Sequence, residues 1–167
     1  MATMRFKGLD EYLQELQRIE RNTPELLGKV VYGMADVVAD EVRKNIDALP
    51  AEPDVEALKA WAKQEPAPIT IKEKKGLQEG FGIAPMIREN GYYHVKLGFD
   101  GYNDIKTKKY PKGQPHALIA RAIESGSSIR YKYPFIRPAV NKCRKAAEKV
   151  GQTIIDNEIH AWKEGDL

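Results

Sequence analysis

Side chains that could ligate a metal or attack a substrate are few and widely spaced in this chain. His94, His116 and His160 fall in a predicted strand, a predicted loop and a predicted helix end, and no two stand at metal-ligand spacing beside an acid. Cys143 lies at an apolar position of a helical pattern, where a buried, inert thiol is commoner than a nucleophile. We therefore expect no metal site, no cofactor and no enzymatic role.

A predicted turn late in the chain carries one acid and one hydroxyl group. Glu124 is followed by Gly126 and Ser127, which are residue types that commonly end a helix. Two interpretations are open. The carboxylate and the hydroxyl fix the turn and orient its loop for contact with another subunit, or they belong to an ordinary helix terminus.

One large side chain follows this turn in a constrained stretch of backbone. Phe135 stands directly after Pro134 and three residues before Pro138, and the two prolines restrict the backbone on both sides of it. The aromatic ring could anchor in a pocket of a neighbouring subunit, since buried aromatic residues often dominate interfaces. It could equally pack in the core of its own chain.

Length and composition predict one soluble globular domain. The chain has 167 residues, of which 42% are hydrophobic and 31% charged, with a mean hydropathy of −0.55. No stretch approaches the length of apolar sequence that a membrane span needs, and the first eight residues lack the pattern of a signal peptide. The single cysteine excludes an internal disulfide. We expect the protein to fold in a reducing cytoplasm.

The net charge of +3 hides a strongly basic middle segment. Residues 101–150 carry 12 Lys and Arg against 3 Asp and Glu, whereas residues 1–100 carry 14 against 17. Tyrosines are interleaved with these charges, a composition that suits stacking on exposed bases. A nucleic-acid-binding module is therefore the alternative function, and a solvated charged face is the simpler explanation. The residues of this predicted basic contact surface are Lys106, Lys108, Lys109, Lys112, Arg130, Lys132 and Arg137.

Hydrophobic periodicity predicts helices at both ends of the chain. An apolar stripe indicates a first helix from about Gly8 to Arg21, and Thr23 followed by Pro24 favours the start of a second helix that runs to Leu49. Residues 50–68 are predicted to be an inserted excursion with a short helix at 54–64. Further helices are predicted from Pro115 to Ser125 and from Pro138 to Trp162.

The central part of the chain carries the strand signals. Residues 69–72 alternate in polarity, residues 80–87 form a second extended stretch, and residues 91–99 form the clearest strand, after a turn at 89–91. Residues 100–114 are predicted to be a mobile basic loop. The predicted fold is α+β, with two N-terminal helices and a long C-terminal helix packed on a small antiparallel β-sheet.

Several of these motifs follow one another in a characteristic order. A glycine-leucine helix at 8–16 and a long second helix at 24–49 precede the Gly76-Leu77 pair and the strand that follows it. The most specific part is an acid, a glycine and a hydroxyl residue, then a proline-aromatic pair and a proline-alanine pair that lead into the last helix. These residues are Glu124, Gly126, Ser127, Pro134, Phe135, Pro138 and Ala139.

Over nearly its whole length the chain resembles the tail-component or tail-completion proteins of long-tailed bacteriophages, which are encoded with the head-to-tail joining genes. It departs from the common pattern at Lys75, where the family often has threonine, and in the greater length of 45–68. The resemblance implies a structural protein of the virion tail or neck that assembles as a ring. Its partners would be other copies of itself and tail-terminator, tail-tube or head-connector proteins, with possible contact to genome DNA and none to a membrane. The subunit-interface residues implied are Glu124, Gly126, Ser127, Pro134, Phe135 and Pro138.

Overall fold

A computed structural model describes residues 9–104, 106 and 108–164, and the predicted helix start at Gly8 lies outside these residues. Five helices and two short antiparallel sheets confirm the α+β fold and its long C-terminal helix. In chain order the elements are α1 (Leu9–Asp47), α2 (Asp54–Ala62), α3 (Ile71–Gly80), β1 (Phe81–Ile83), β2 (Ile87–Glu89), β3 (Tyr92–His94), β4 (Leu97–Phe99), α4 (His116–Ser125) and α5 (Ile136–Glu164).

The two predicted N-terminal helices form one continuous helix, α1, so the predicted break at Thr23 is wrong. The Thr23 hydroxyl donates to the Ile19 carbonyl at 2.7 Å, within the helix, and does not cap a new one. Leu26 and Val30 are buried immediately after Pro24, so tertiary packing continues across the proline. Packing of an apolar face can outweigh the local cost of a proline in a helix.

α1 and α5 lie antiparallel and form the scaffold of the protein. Lys29 donates to Glu158 at 2.7 Å near one end of the pair, and Lys142 donates to Glu41 at 2.6 Å near the other. Gly33 and Gly151 lie where the helices are closest: a Cβ on Gly151 would stand 2.7 Å from the sulfur of Met34. These glycines thus let α5 pack closely against α1 of the same chain.

The β region is one long hairpin that is interrupted in the middle. β1 pairs with β4 and β2 with β3, both antiparallel, as the stretches 80–87 and 91–99 predict. Asn90 and Gly91 have positive φ values of 51° and 82°, which a tight hairpin turn requires. Pro85 has no N–H for the ladder, and the next amide, Met86, donates to the Tyr32 hydroxyl at 2.8 Å.

The extended stretch predicted over residues 69–72 is wrong from Ile71 onward, because α3 begins there. Thr70 accepts the Glu73 amide on its hydroxyl at 3.1 Å, while the Glu73 carboxylate accepts the Thr70 amide at 3.0 Å. This reciprocal capping box satisfies two amides at the start of the helix. The predicted helices in the excursion and after Pro115 are confirmed as α2 and α4.

α5 starts at Ile136, two residues before the predicted start at Pro138. The proline is the third residue of the helix, and its missing N–H is one of the first four that have no partner inside a helix. No helix in the described ranges combines the length and apolar character that a membrane crossing needs.

The hydrophobic core lies where α1, α3, α4, the hairpin and the start of α5 meet. Phe135 is its largest fully buried side chain, and its ring packs edge-on against that of Phe99, with 6.0 Å between the ring centroids. This settles the position of Phe135, which packs in its own chain. The buried members of the core are Val42, Ile46, Leu49, Ile69, Leu77, Ile119, Ala120, Ile123, Phe135 and Ala139.

Replacing Phe135 by alanine should destabilise the fold, because the residues packed around the ring cannot move in to fill the cavity that it leaves. We expect Phe135→Ala to lower the free energy of unfolding by about 3–5 kcal/mol in urea titration. The control Tyr92→Ala removes an aromatic ring that is 76% exposed and should cost less than about 0.5 kcal/mol. A loss below about 1 kcal/mol for Phe135→Ala would contradict this placement.

Candidate functional site

Glu124 joins the end of α4 to the start of α5. One carboxylate oxygen accepts the N–H groups of Phe135 at 2.7 Å and Ile136 at 2.8 Å, and the other accepts that of Arg137 at 3.0 Å. Ile136 and Arg137 open α5 and Phe135 directly precedes it, so no carbonyl of the helix can reach these amides. A side chain from another helix thus caps α5, and Phe135 is fixed at the point of capping.

The electrostatics of Glu124 follow from this position. Burial alone would raise the pKa of its carboxyl group. The amides of Ile136, Phe135 and Arg137, together with the Arg137 charge, outweigh burial and hold the pKa below its ordinary value. Glu124 therefore carries its charge at neutral pH and faces the positive end of the α5 dipole.

Gly126 and Ser127 act on the end of α4, whereas Glu124 acts on the start of α5. Gly126 ends α4 with φ +75°, and a Cβ there would stand 2.9 Å from the Cβ of Lys132. The Ser127 and Arg130 backbones exchange hydrogen bonds at 3.1 and 3.3 Å, which closes a tight loop. Gly126 and Ser127 thus terminate α4 and shape the next loop, while Glu124 holds the helix that follows.

Arg130 is buried, so its assignment to the predicted basic surface is wrong. Its guanidinium forms a buried ion pair with Glu73, donates to the Pro68 carbonyl at 2.8 Å and lies 5.4 Å from the centre of the Trp61 ring. A buried charge needs such partners. Sequence reasoning missed Glu73, although the spacing Thr70-x-x-Glu73 is the signal of a capping box.

The other residues of the predicted basic surface are exposed. Lys106, Lys108, Lys109 and Lys112 lie in the 100–114 loop, and Lys132 follows Arg130. Arg137 is 75% exposed and approaches Glu124 only to 3.8 Å. Tyr102 and Tyr131 are exposed as well, whereas Tyr110 and Tyr133 are partly buried.

Five large apolar side chains are exposed on α2, at the start of α3 and in the 127–131 loop. The Ile71 amide donates to the Glu52 carbonyl at 3.1 Å, and the Ala67 amide donates to the Ile129 carbonyl at 3.0 Å. These bonds tie the segment 52–71, which contains α2 and the start of α3, to the 127–131 loop. We term the set of exposed apolar side chains on these elements the apolar platform. Its residues are Val55, Leu58, Ile71, Ile129 and Tyr131.

A second apolar surface lies over the core, between α1, the hairpin, α4 and α5. This apolar groove has a volume of about 540 Å³, with Arg121 and Arg137 among its lining residues. The predicted interface residues Pro134 and Pro138 are exposed, and Glu124 lines the groove. The apolar residues that define the groove are Val38, Phe81, Leu97, Phe99, Ile136 and Val140.

The histidines and the cysteine are far apart in the fold. His116 is buried, with Nδ1 2.9 Å from the Asp100 carbonyl and its ring against Gly76. Cys143 is buried and its thiol donates to the Ala139 carbonyl at 2.9 Å. Over the ranges given above, no three His, Cys, Asp or Glu side chains group so as to hold a metal ion.

Comparison with known proteins identifies no family for this chain. No protein-family model matches the chain, and neither the curated proteins nor the solved structures yielded a match.

The Glu124 cap should give the protein a distinct response to acid. Because the folded pKa is depressed, its stabilisation is complete above the ordinary pKa of 4.5 and is lost as pH falls through the lower folded value. Glu124→Gln keeps the shape but not the charge, and should lower the free energy of unfolding at pH 7 by about 1–2 kcal/mol.

Urea titrations of both proteins between pH 7 and pH 2 measure this difference. The difference in free energy of unfolding between wild type and Glu124→Gln should be constant well above the ordinary pKa of 4.5 and shrink as the pH falls through the lower folded value. Glu65→Gln, which changes an exposed carboxylate, is the control. A gap that is absent at pH 7, or that grows on acidification, would contradict the capping role.

Proposed function

We propose that this chain is a structural protein of the bacteriophage virion, a tail-completion or neck component that assembles through its surfaces with other copies and with neighbouring tail or connector proteins. The apolar platform carries this proposal. Monomeric soluble proteins rarely expose contiguous apolar patches larger than roughly a few hundred Å², and patches of that size usually mark a binding site.

The platform is held firmly enough to serve as a docking surface. Arg130 lies between Ile129 and Tyr131 in the sequence and is buried, and it ties the loop through Glu73 to α3 and through Pro68 to the excursion. A preorganised surface loses less conformational entropy on binding than a flexible one.

The residues that carry the family resemblance support the same proposal from inside the chain. Glu124 and Phe135 fix the geometry between α4 and α5, and Gly126 begins the loop that leads to the platform. The motif would therefore act in assembly by shaping the subunit, while exposed side chains make the contacts.

Deletion of the gene from the genome that encodes it tests the function. Electron microscopy of the resulting particles should show heads and tails that are not joined, and wild-type protein supplied from a plasmid should restore joined particles. Complementation with Leu58→Glu, a change at a 59% exposed site, should restore far fewer joined particles, since a charge would be buried at the contact. Normal joined particles without the gene would contradict the proposal.

Nucleic-acid binding is the second candidate function, because the lysines of the 100–114 loop are exposed together with Tyr102. Filter binding to duplex DNA over a range of salt concentrations discriminates the two. The structural function predicts weak binding that is lost near physiological salt, through release of counterions alone. Tight, sequence-selective binding that Lys108→Glu/Lys109→Glu abolishes would favour the second function.

A further inference from the structure

α2 exposes an apolar stripe, of which Leu58 also borders a cavity beside Trp61 and Tyr102. Val55 and Leu58 are one helical turn apart and are 57% and 59% exposed, while Ala57 is the buried residue of this helix. α2 is nevertheless held in place, since Asp54 pairs with Lys72 of α3 at 2.7 Å. It therefore presents a fixed apolar stripe outward.

The apolar groove offers this stripe a concave apolar surface. It is a depression over the core with Val140, which is exposed, at its margin. Laying the apolar face of a short helix into such a groove is a common mode of recognition. The groove and the apolar platform have no residue in common, so one copy can use both at once.

The net charges of the excursion and of the groove margin are opposite in sign. The excursion at 50–68 has four carboxylates, Glu52, Asp54, Glu56 and Glu65, against two lysines. Asp54 pairs with Lys72 and Glu56 with Lys59, which leaves Glu52 and Glu65 to face another copy. The groove margin carries Arg121 and Arg137, both exposed. Among the described residues that line the groove, Glu124 is the one with a carboxylate, and its oxygens already accept three backbone amides. Opposite charges steer two surfaces together and set their register.

We propose that α2 of one copy docks in the apolar groove of a second copy, with Val55 and Leu58 against Val140 and the hairpin, and the acidic excursion facing Arg121 and Arg137. This inference rests on the proposed function, because it names the self-contact that ring assembly needs. Because two different surfaces meet, the contact is head-to-tail and repeats from copy to copy. Closure of a ring strengthens each modest contact, since the last copy is held at both ends.

Two half-blocked proteins test the contact. Val55→Asp/Leu58→Asp disables the helix and leaves the groove intact, whereas Arg121→Glu/Val140→Asp disables the groove and leaves the helix intact. All four positions are exposed, and circular dichroism with thermal unfolding checks that both variants fold. Tyr92→Asp, at the exposed hairpin tip outside both surfaces, is the matched control.

Sedimentation velocity over a range of concentrations supplies the readout. Wild type and the control should associate beyond the dimer, and each variant alone should lose affinity at least about tenfold. An equimolar mixture of the variants should form a dimer and nothing larger, because one intact helix meets one intact groove. Variants that stay monomeric in the mixture, or that associate like wild type, would overturn the proposal.

A disulfide experiment covers the case of a contact too weak for sedimentation. In a Cys143→Ser background, Leu58→Cys protein mixed with Val140→Cys protein should give a cross-linked dimer under oxidation, and Tyr92→Cys in place of Leu58→Cys should not. If no cross-linked dimer forms and wild type is monomeric at every concentration, the proposed contact between α2 and the groove is wrong, whatever the gene deletion shows. If the dimer forms but particles are normal after gene deletion, the proposed function is wrong and the contact is still supported.

Discussion

The carboxylate of Glu124 lies between α4 and α5, and much of the structure depends on the hydrogen bonds that it accepts there. It belongs to α4, yet it accepts the amides of Phe135, which directly precedes α5, and of Ile136 and Arg137, the first two residues of α5. Glu124 thereby fixes where this 29-residue helix begins. Phe135, whose amide is one of the three, is thereby directed into the core. The groove over that core is formed by the same elements, so the position of Glu124 determines the shape of a surface that we propose to be an interface.

A second polar network holds the part of the chain that the core does not reach. Within the excursion at 50–68, the buried residues are Ala57 and Ala67, and the next buried residue, Ile69, belongs to the core. Apolar packing alone therefore holds the excursion weakly. Arg130 and Glu73 supply the attachment, each satisfying the other in a site closed to water. Breaking such a pair costs more than forming it gains, which makes the arrangement specific. The consequence is a rigid platform with apolar side chains directed outward.

Sequence patterns predicted those elements whose signals are local. The turn at Asn90 and Gly91 and the helix end at Gly126 follow from backbone conformations that few residues adopt. The start of α3 was missed because the alternation around Ile71 resembled a strand, although the capping box was present. The burial of Arg130 could not be predicted from local pattern, because Glu73 lies 57 residues away along the chain. Likewise, packing of α5 keeps α1 continuous through Pro24.

These interactions separate two roles in the proposed virion protein. Glu124 and Phe135 build the subunit, whereas the neighbouring 127–131 loop and α2 offer surface for assembly. The most direct test of this division is an NMR titration of the Glu124 carboxyl carbon in the folded protein. The capping geometry predicts a pKa below the ordinary value of 4.5. A pKa at or above 4.5 would contradict it, since burial without the three amides would then dominate.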